Sequence, residues 1–116
     1  MVTVMSSAER SADAVFDALG DPMRRRIAET LRAGALPVGQ LAERLPIGRP
    51  AVSKHLGILE DARIVTHTTV GTRNLYVLAP DGLAPLQVWL TESWDATLAA
   101  YAAHLSRSDE KEPRTS

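Results

Sequence analysis

Residues 38–60 read VGQLAERLPIGRPAVSKHLGILE, and this stretch decides the fold. Val38, Leu41, Ala42 and Leu45 stand at i, i+3, i+4 and i+7, the spacing that gathers apolar side chains on one face of a helix. Pro46, Ile47 and Gly48 follow. Proline disfavours helical backbone in the residue before it and glycine accepts a non-helical one, so these three residues make a tight turn. A second helix starts at about Arg49, with Gly48 as its N-cap and Pro50 in its first turn, where the missing N–H removes no helical bond. Val52, Leu56 and Leu59 share one side of it. At about 100° per residue, Pro50, Ser53, Lys54 and Gly57 gather on the other side, which is small, polar and singly basic.

Two short helices with apolar stripes and a brief Gly-containing turn between them make a helix-turn-helix. A phosphate-lined groove repels a bulky acidic face but admits this one, and Gly57 lets the backbone come close. The same face also suits an ordinary solvated helix, so the flanking sequence has to discriminate.

Charge is the first discriminator. The 116 residues carry a net charge of −1, yet residues 22–80 hold nine basic and four acidic side chains, while residues 1–21 and 81–116 each sum to −3. A basic middle between acidic ends is what a chain needs if only its middle meets nucleic acid. The length closes one core, and 45% hydrophobic with 23% charged residues describes a soluble globular domain. No apolar run approaches the roughly 18 residues of a membrane span. The start, MVTVMSSAER, has neither a basic leader nor a long apolar core, so a cytoplasmic protein without membrane contact is expected. The absence of cysteine removes disulfides, thiolate metal sites and Cys nucleophiles together. His55, His67 and His104 lie on three different elements and there is no Gly-rich phosphate loop, so an enzyme is not expected.

Working outward toward the N-terminus, a helix is predicted from about Ala8 to Leu19, with Ser6 and Glu9 as a capping box and Val15, Phe16 and Leu19 as an apolar edge. Gly20 stops it. Asp21 and Pro22 then give an N-cap and a proline at the first helical position, starting a helix to Ala33 with Met23, Ile27, Ala28 and Leu31 inward and Gly34 as its stop. Arg24, Arg25 and Arg26 fan around the first turn, where cations oppose the helix dipole unless something anionic lies nearby. Arg24 is therefore a candidate phosphate contact, although a solvated, salt-bridged surface fits equally.

Toward the C-terminus, Ile64–Val70 (IVTHTTV) and Asn74–Leu78 (NLYVL) are β-branched or aromatic and are joined by Gly71, Thr72 and Arg73. They form a β-hairpin with a basic tip. A helix-turn-helix followed directly by such a hairpin is a winged helix, and Arg73, Thr72 and Asn74 are its candidate phosphate contacts. His67 is read as a surface or edge residue of its strand. Asp81 and Gly82 make a turn, and Pro85 opens a last helix reaching Leu105, close to 30 Å long at about 1.5 Å per residue. Leu83, Leu86, Leu90, Trp94, Leu98, Tyr101 and Leu105 follow one another at spacings of three or four. So small a domain has little core left for such a helix, so a partner subunit is expected to cover it, with the Val15 and Phe16 edge as a second contact. One domain over residues 1–105 and a polar, disordered tail over 106–116 complete the expectation.

The ordered blocks FDALGDPMRRRIAETL, PVGQLAERLPIGRPAVSKHLGILEDARIV and GTRNLYVL resemble the ArsR/SmtB family of bacterial winged-helix repressors, over about Val15 to Leu78. The resemblance implies a mainly α fold with a β-hairpin wing, dimerising through its first and last helices. It implies a homodimer that binds double-stranded promoter DNA at an imperfect inverted repeat and blocks transcription, its recognition helices in successive major grooves about 34 Å apart. By motif position the base-reading contacts fall on Arg49, Ser53 and Lys54, with Pro50 and Ala51 against the groove. His55, flanking the buried stripe, takes a structural or phosphate-binding role. The implied dimer contacts are Val15, Phe16, Leu86, Leu90, Trp94, Leu98 and Tyr101.

Metal-sensing members of that family carry a cysteine pair that would fall on Pro37 and Gly39. A second set of carboxylate and histidine ligands would fall on Asp81, Leu83, Trp94 and Thr97, where only the aspartate survives. Since Zn²⁺ needs three or four N, S or O ligands, no metal and no cofactor are expected. The alternative to a DNA-binding regulator is a winged helix used purely for protein interaction.

Overall fold

A computed structural model describes the backbone of residues 7–111 and the side chains of residues 12–108. The elements in chain order are α1 (Ser7–Leu19), α2 (Pro22–Thr30), a single 3₁₀ turn (Leu31–Ala33), β1 (Leu36–Pro37), α3 (Val38–Glu43), α4 (Arg49–Asp61), β2 (Val65–Val70), β3 (Arg73–Leu78) and α5 (Ala84–Lys111). The strands form an antiparallel sheet in the order β1-β3-β2. This is a mainly helical winged helix-turn-helix with a β-hairpin wing. It divides into two units, residues 1–86 with the winged helix and residues 87–116 with most of α5.

The core of the first unit is built by α1, α2, α3, α4 and the start of β2. Ile27, Leu31, Leu41, Val52, Leu56, Leu59 and Ile64 are fully buried in it. The stripe of α4 expected to point inward, Val52, Leu56 and Leu59, does so. On α3 the helix ends at Glu43, earlier than the apolar spacing suggests, and Leu45 reaches the core from the turn instead.

The joint between α1 and α2 departs from expectation in an instructive way. The buried face of α1 is Ala12, Val15 and Ala18. Val15, expected at a dimer contact, is only 1% exposed and belongs to its own domain's core, whereas Phe16 lies outward. The capping box could not be placed, because Ser6 lies outside the described residues. Asp21 caps α2 as expected, accepting from the backbone N–H of Met23 at 2.7 Å and of Arg24 at 3.2 Å. The helix expected to reach Ala33 tightens into the 3₁₀ turn after Thr30.

Two features after α4 fix the wing. Arg63 stands in the left-handed region at φ 63, and the N–H groups of Arg63 and Ile64 bond back to the carbonyls of Glu60 and Leu59. This paired closure is the Schellman motif, with the buried Ile64 and Leu59 in its hydrophobic positions. The hairpin then turns in two residues, Gly71 and Thr72, with Val70 paired to Arg73. Gly71 at φ 64 occupies the first central position, which a type II′ turn gives to glycine. Arg73 is thus the first residue of β3 rather than part of the turn. β1 was not foreseen; it pairs Leu36 with Tyr76 and Pro37 with Leu75, tying the chain before α3 to the wing.

In the turn before α5, Gly82 is buried, and a Cβ there would stand 2.7 Å from the Arg63 carbonyl oxygen and 2.9 Å from Ile64 Cα. α5 itself runs to Lys111, so residues 106–111 are helical where a disordered tail was expected, while residues 112–116 lie outside the described residues. Leu86, expected at a dimer contact, packs against the domain's own core. Beyond it Leu90, Trp94, Leu98, Tyr101 and Leu105 are exposed, Trp94 to 67% and Tyr101 to 61%. None of the helices among the described residues is long and apolar enough to cross a membrane.

Candidate nucleic-acid interface

Helix α4 presents Arg49, Pro50, Ala51, Ser53 and Lys54 to solvent, with Pro50 and Lys54 opposite its buried stripe and Arg49 beside that stripe at the helix start. Gly57 shares that exposure, and nothing lies within 4 Å of where its Cβ would be. No acidic side chain stands in the first turn of α4, so its positive end is left open to an anion. The bulk and charge that would keep a recognition helix out of a major groove are absent from this face.

The wing brings further donors to the same place. A polar cleft of about 460 Å³ is lined by Arg49 and Ser53 of α4, Thr72, Arg73, Asn74 and Tyr76 of the wing, and Gln40 and Glu43 of α3. Five expected DNA contacts, Arg49, Ser53, Thr72, Arg73 and Asn74, therefore share one concavity, although Ser53 and Thr72 are nineteen residues apart in sequence. The Arg49 guanidinium rests over Gly39, its Nη1 3.9 Å from where a Cβ would lie. Asn74 accepts from Thr69 Oγ1 at 2.9 Å, a cross-strand bond that holds the outer wing. Pro50, Ala51 and Lys54 lie on the same helix face but do not line the cleft.

Arg24 is placed differently from the other expected contacts. Its Nε donates to the Ala18 carbonyl and its Nη2 to the Asp17 carbonyl at 3.3 Å, while Nη1 stands 3.8 Å from Asp21 Oδ2. Arg25 donates to the Leu19 carbonyl at 2.6 Å. The anionic neighbour that these cations require is the carbonyl end of α1, where positive charge is favourable. Arg24 brackets two helices, its guanidinium engaged by the carbonyls of α1 and by Asp21.

His55 is half-buried, and its Nδ1 is enclosed without a hydrogen-bond partner. Burial tends to raise the nearby Asp21 carboxyl, but the Arg24 and Met23 N–H groups and the charges of Arg24 and His55 outweigh it and hold Asp21 below the usual carboxylate range. His67, read as a plain strand residue, donates from Nδ1 to Glu60 Oε1 at 2.8 Å, and its ring lies 5.2 Å from that of Tyr76. Burial, then the charge of Glu60, pushes the Tyr76 hydroxyl up. Gln40, Glu43 and Tyr76 were not among the expected site residues. The first two are spaced i and i+3 on the polar side of α3, a signal present in the sequence but indistinguishable there from an ordinary solvated face.

Comparison with known proteins matches this geometry. A family model described as a helix-turn-helix domain fits residues 19–68. The HTH-type transcriptional regulator Rv2034 of Mycobacterium tuberculosis is 48% identical over 96 residues, covering 83% of this chain and 90% of that protein. The solved structure of an ArsR-like transcriptional regulator from Rhodococcus sp. RHA1 superposes with a TM-score of 0.69 at 30% identity, over 83% of this chain and 93% of the other. The chain belongs to the ArsR family of winged helix-turn-helix transcriptional regulators. As a member of the ArsR family it is a DNA-binding regulator and not an enzyme. The transcriptional repressor SdpR of Bacillus subtilis is a more distant relative, 38% identical over 64 residues, 55% of this chain and 71% of the repressor.

Proposed function

We propose that this ArsR-family regulator is a homodimeric repressor that occupies an inverted repeat in promoter DNA in the cytoplasm and answers to no divalent metal. The observation that carries the DNA reading is the shared cleft, in which Arg49 and Ser53 of the recognition helix stand beside Thr72 and Arg73 of the wing. A recognition helix in the major groove and a wing on the adjoining backbone need that convergence, because phosphate contacts set the register in which base contacts read sequence.

The dimer is supported by α5. Its exposed Leu90, Trp94, Leu98, Tyr101 and Leu105 follow one another at helical spacings of three and four and so share one face, the kind of contiguous apolar surface that marks an interaction site. Phe16 adds to the exposed apolar residues on α1. A second copy is the occupant that gives the two-fold symmetry an inverted repeat mirrors. Repression is supported by the likeness to SdpR. Independence from metals is supported by the donor set. Pro37 and Gly39 offer no ligating side chain, and among the described residues no group of three or more His, Cys, Asp or Glu side chains converges.

Selection of binding sites from random duplexes tests the whole reading. The expected product is a two-fold symmetric sequence with half-sites one helical turn apart, bound with strong salt dependence and unaffected by added Zn²⁺ or chelator. Recovery of no enriched sequence would favour a protein-interaction module.

A further inference from the structure

β2 is an edge strand of the sheet, as β1 is on the opposite side. Its neighbour β3 is held on its far side by β1, at Leu36 and Pro37, but among the described residues β2 has no strand beyond it. Val65 is the single buried residue of β2, so core packing grips this strand only at its base. An isolated two-stranded hairpin is marginal in water, so what else holds β2 decides how well the wing is placed.

Besides the Thr69–Asn74 bond to β3, β2 is tied to the recognition helix by the side chain of His67. His67 stands two residues beyond Val65 on the same strand face, and its Nδ1–H reaches Glu60 in the last turn of the recognition helix at 2.8 Å. Across the sheet its ring lies against Tyr76, which lines the cleft shared by Arg49 and Arg73. The charged and titratable groups facing His67 are therefore Glu60 from α4 and Tyr76 from β3. Three rungs separate the His67–Tyr76 pair from the Val70–Arg73 pair, about 10 Å at roughly 3.3 Å per residue. The bond sits near the fulcrum and Arg73 near the tip, so a small rotation of the strand at His67 becomes a larger displacement of the guanidinium.

We propose that His67 is a positioning residue for DNA binding. Its bond to Glu60 ties the free edge of the wing to the end of the recognition helix and so sets where Arg73 and Thr72 meet the DNA backbone. The inference rests on the DNA-binding reading above and adds to it the link between the two contacting elements. A partly exposed pair contributes little to stability, so its effect is expected in binding rather than in folding.

Three variants of the full chain separate these roles on the selected duplex, with affinity read as a function of salt. His67→Phe keeps the ring beside Tyr76 and removes the bond. It is expected to weaken binding about three- to tenfold, the worth of one hydrogen bond, to flatten the salt dependence as Arg73→Ala does, by roughly one phosphate contact per subunit, and to leave Tm nearly unchanged. The double variant His67→Phe with Arg73→Ala is expected to bind no more weakly than Arg73→Ala alone, because one acts through the other. His67→Gln, which offers a donor of similar reach, is expected to restore most of the loss. Glu60→Ala removes the same bond from the helix side and carries the same expectations should His67→Phe fail to fold. A wild-type salt slope in His67→Phe, or losses that add in the double variant, would overturn the proposal. Absence of DNA binding by the wild-type chain would overturn the functional reading beneath it as well.

Discussion

Helices α4 and α5 are both amphipathic, and they solve the same problem in opposite ways. α4 buries Val52, Leu56 and Leu59 completely within its own chain and turns a polar face outward. α5 is more than twice as long, and after Leu86 its large apolar side chains remain exposed. The first helix is finished when the monomer folds, whereas the second, in the dimer proposed above, is finished by another molecule. The contrast separates what the monomer needs in order to fold from what a regulator needs in order to span two half-sites.

The most damaging way to break the contrast is to charge α5. Leu98→Glu is expected to yield a folded monomer and to cut operator affinity by about 10²–10⁴-fold, the advantage of two linked half-site contacts over one. Light scattering with a gel shift checks it; a variant that stays dimeric would remove this face from the interface. The mirror change in α4, Leu56→Ala, is expected to cost about 2–5 kcal/mol of folding stability through the cavity it leaves, measured by urea unfolding. Oligomeric mass should then fall only with the folded fraction. On the outward face of the same helix, Arg49→Ala should leave both mass and Tm alone. It should cost about 1–3 kcal/mol of binding and relax preference at one base pair per half-site, if the guanidinium reads a guanine, as repeated site selection would show.

The sequence made these faces legible to different degrees. The helix-turn-helix was readable because its signals are local: apolar residues at spacings of three and four, Pro46 and Gly48 between them, and Pro50 in a first turn. α5 was readable for the same reason, apart from its end, because the charged run after Leu105 continues a helix as easily as it forms a coil. On α1 the large side chains misled. Val15 and Phe16 were read as one edge, but the buried face of the helix is Ala12, Val15 and Ala18, two of them small residues, which leaves Phe16 outward. The internal partners of Arg24 were not legible because they are carbonyls six and seven residues earlier, and whether it reaches them depends on the angle between two helices. β1 escaped notice since two residues carry no period, and its pairing to β3 is set by the tertiary fold. The cleft gathers residues from α3, α4 and the wing, so its members were nameable singly but not as a set.

The smallest expected effect sharpens the self-sufficient half of the contrast, because α4 packs on α2 and Asp21 caps α2. The folded carboxyl titrates below its ordinary value of 3.8, so the stability it contributes is present above that value and lost as pH falls through the folded one. Asp21→Ala is expected to lower Tm by a few degrees at neutral pH, with the gap to wild type closing in acid below about pH 4. A gap independent of pH would mean that the cap acts by shape alone, without its charge.

Gly82 has a consequence for how variants of this protein would be sorted by selection. The atoms a side chain would strike there are the backbone of Arg63 and Ile64, which cannot rotate aside as a side chain can. A library randomised at position 82 is therefore expected to return glycine alone, whether survivors are chosen for solubility, for dimer formation or for binding. Libraries at Arg49 and Ser53 are expected to return different residues for each operator offered, so the two kinds of position would distinguish a demand of the chain's architecture from a demand of its target.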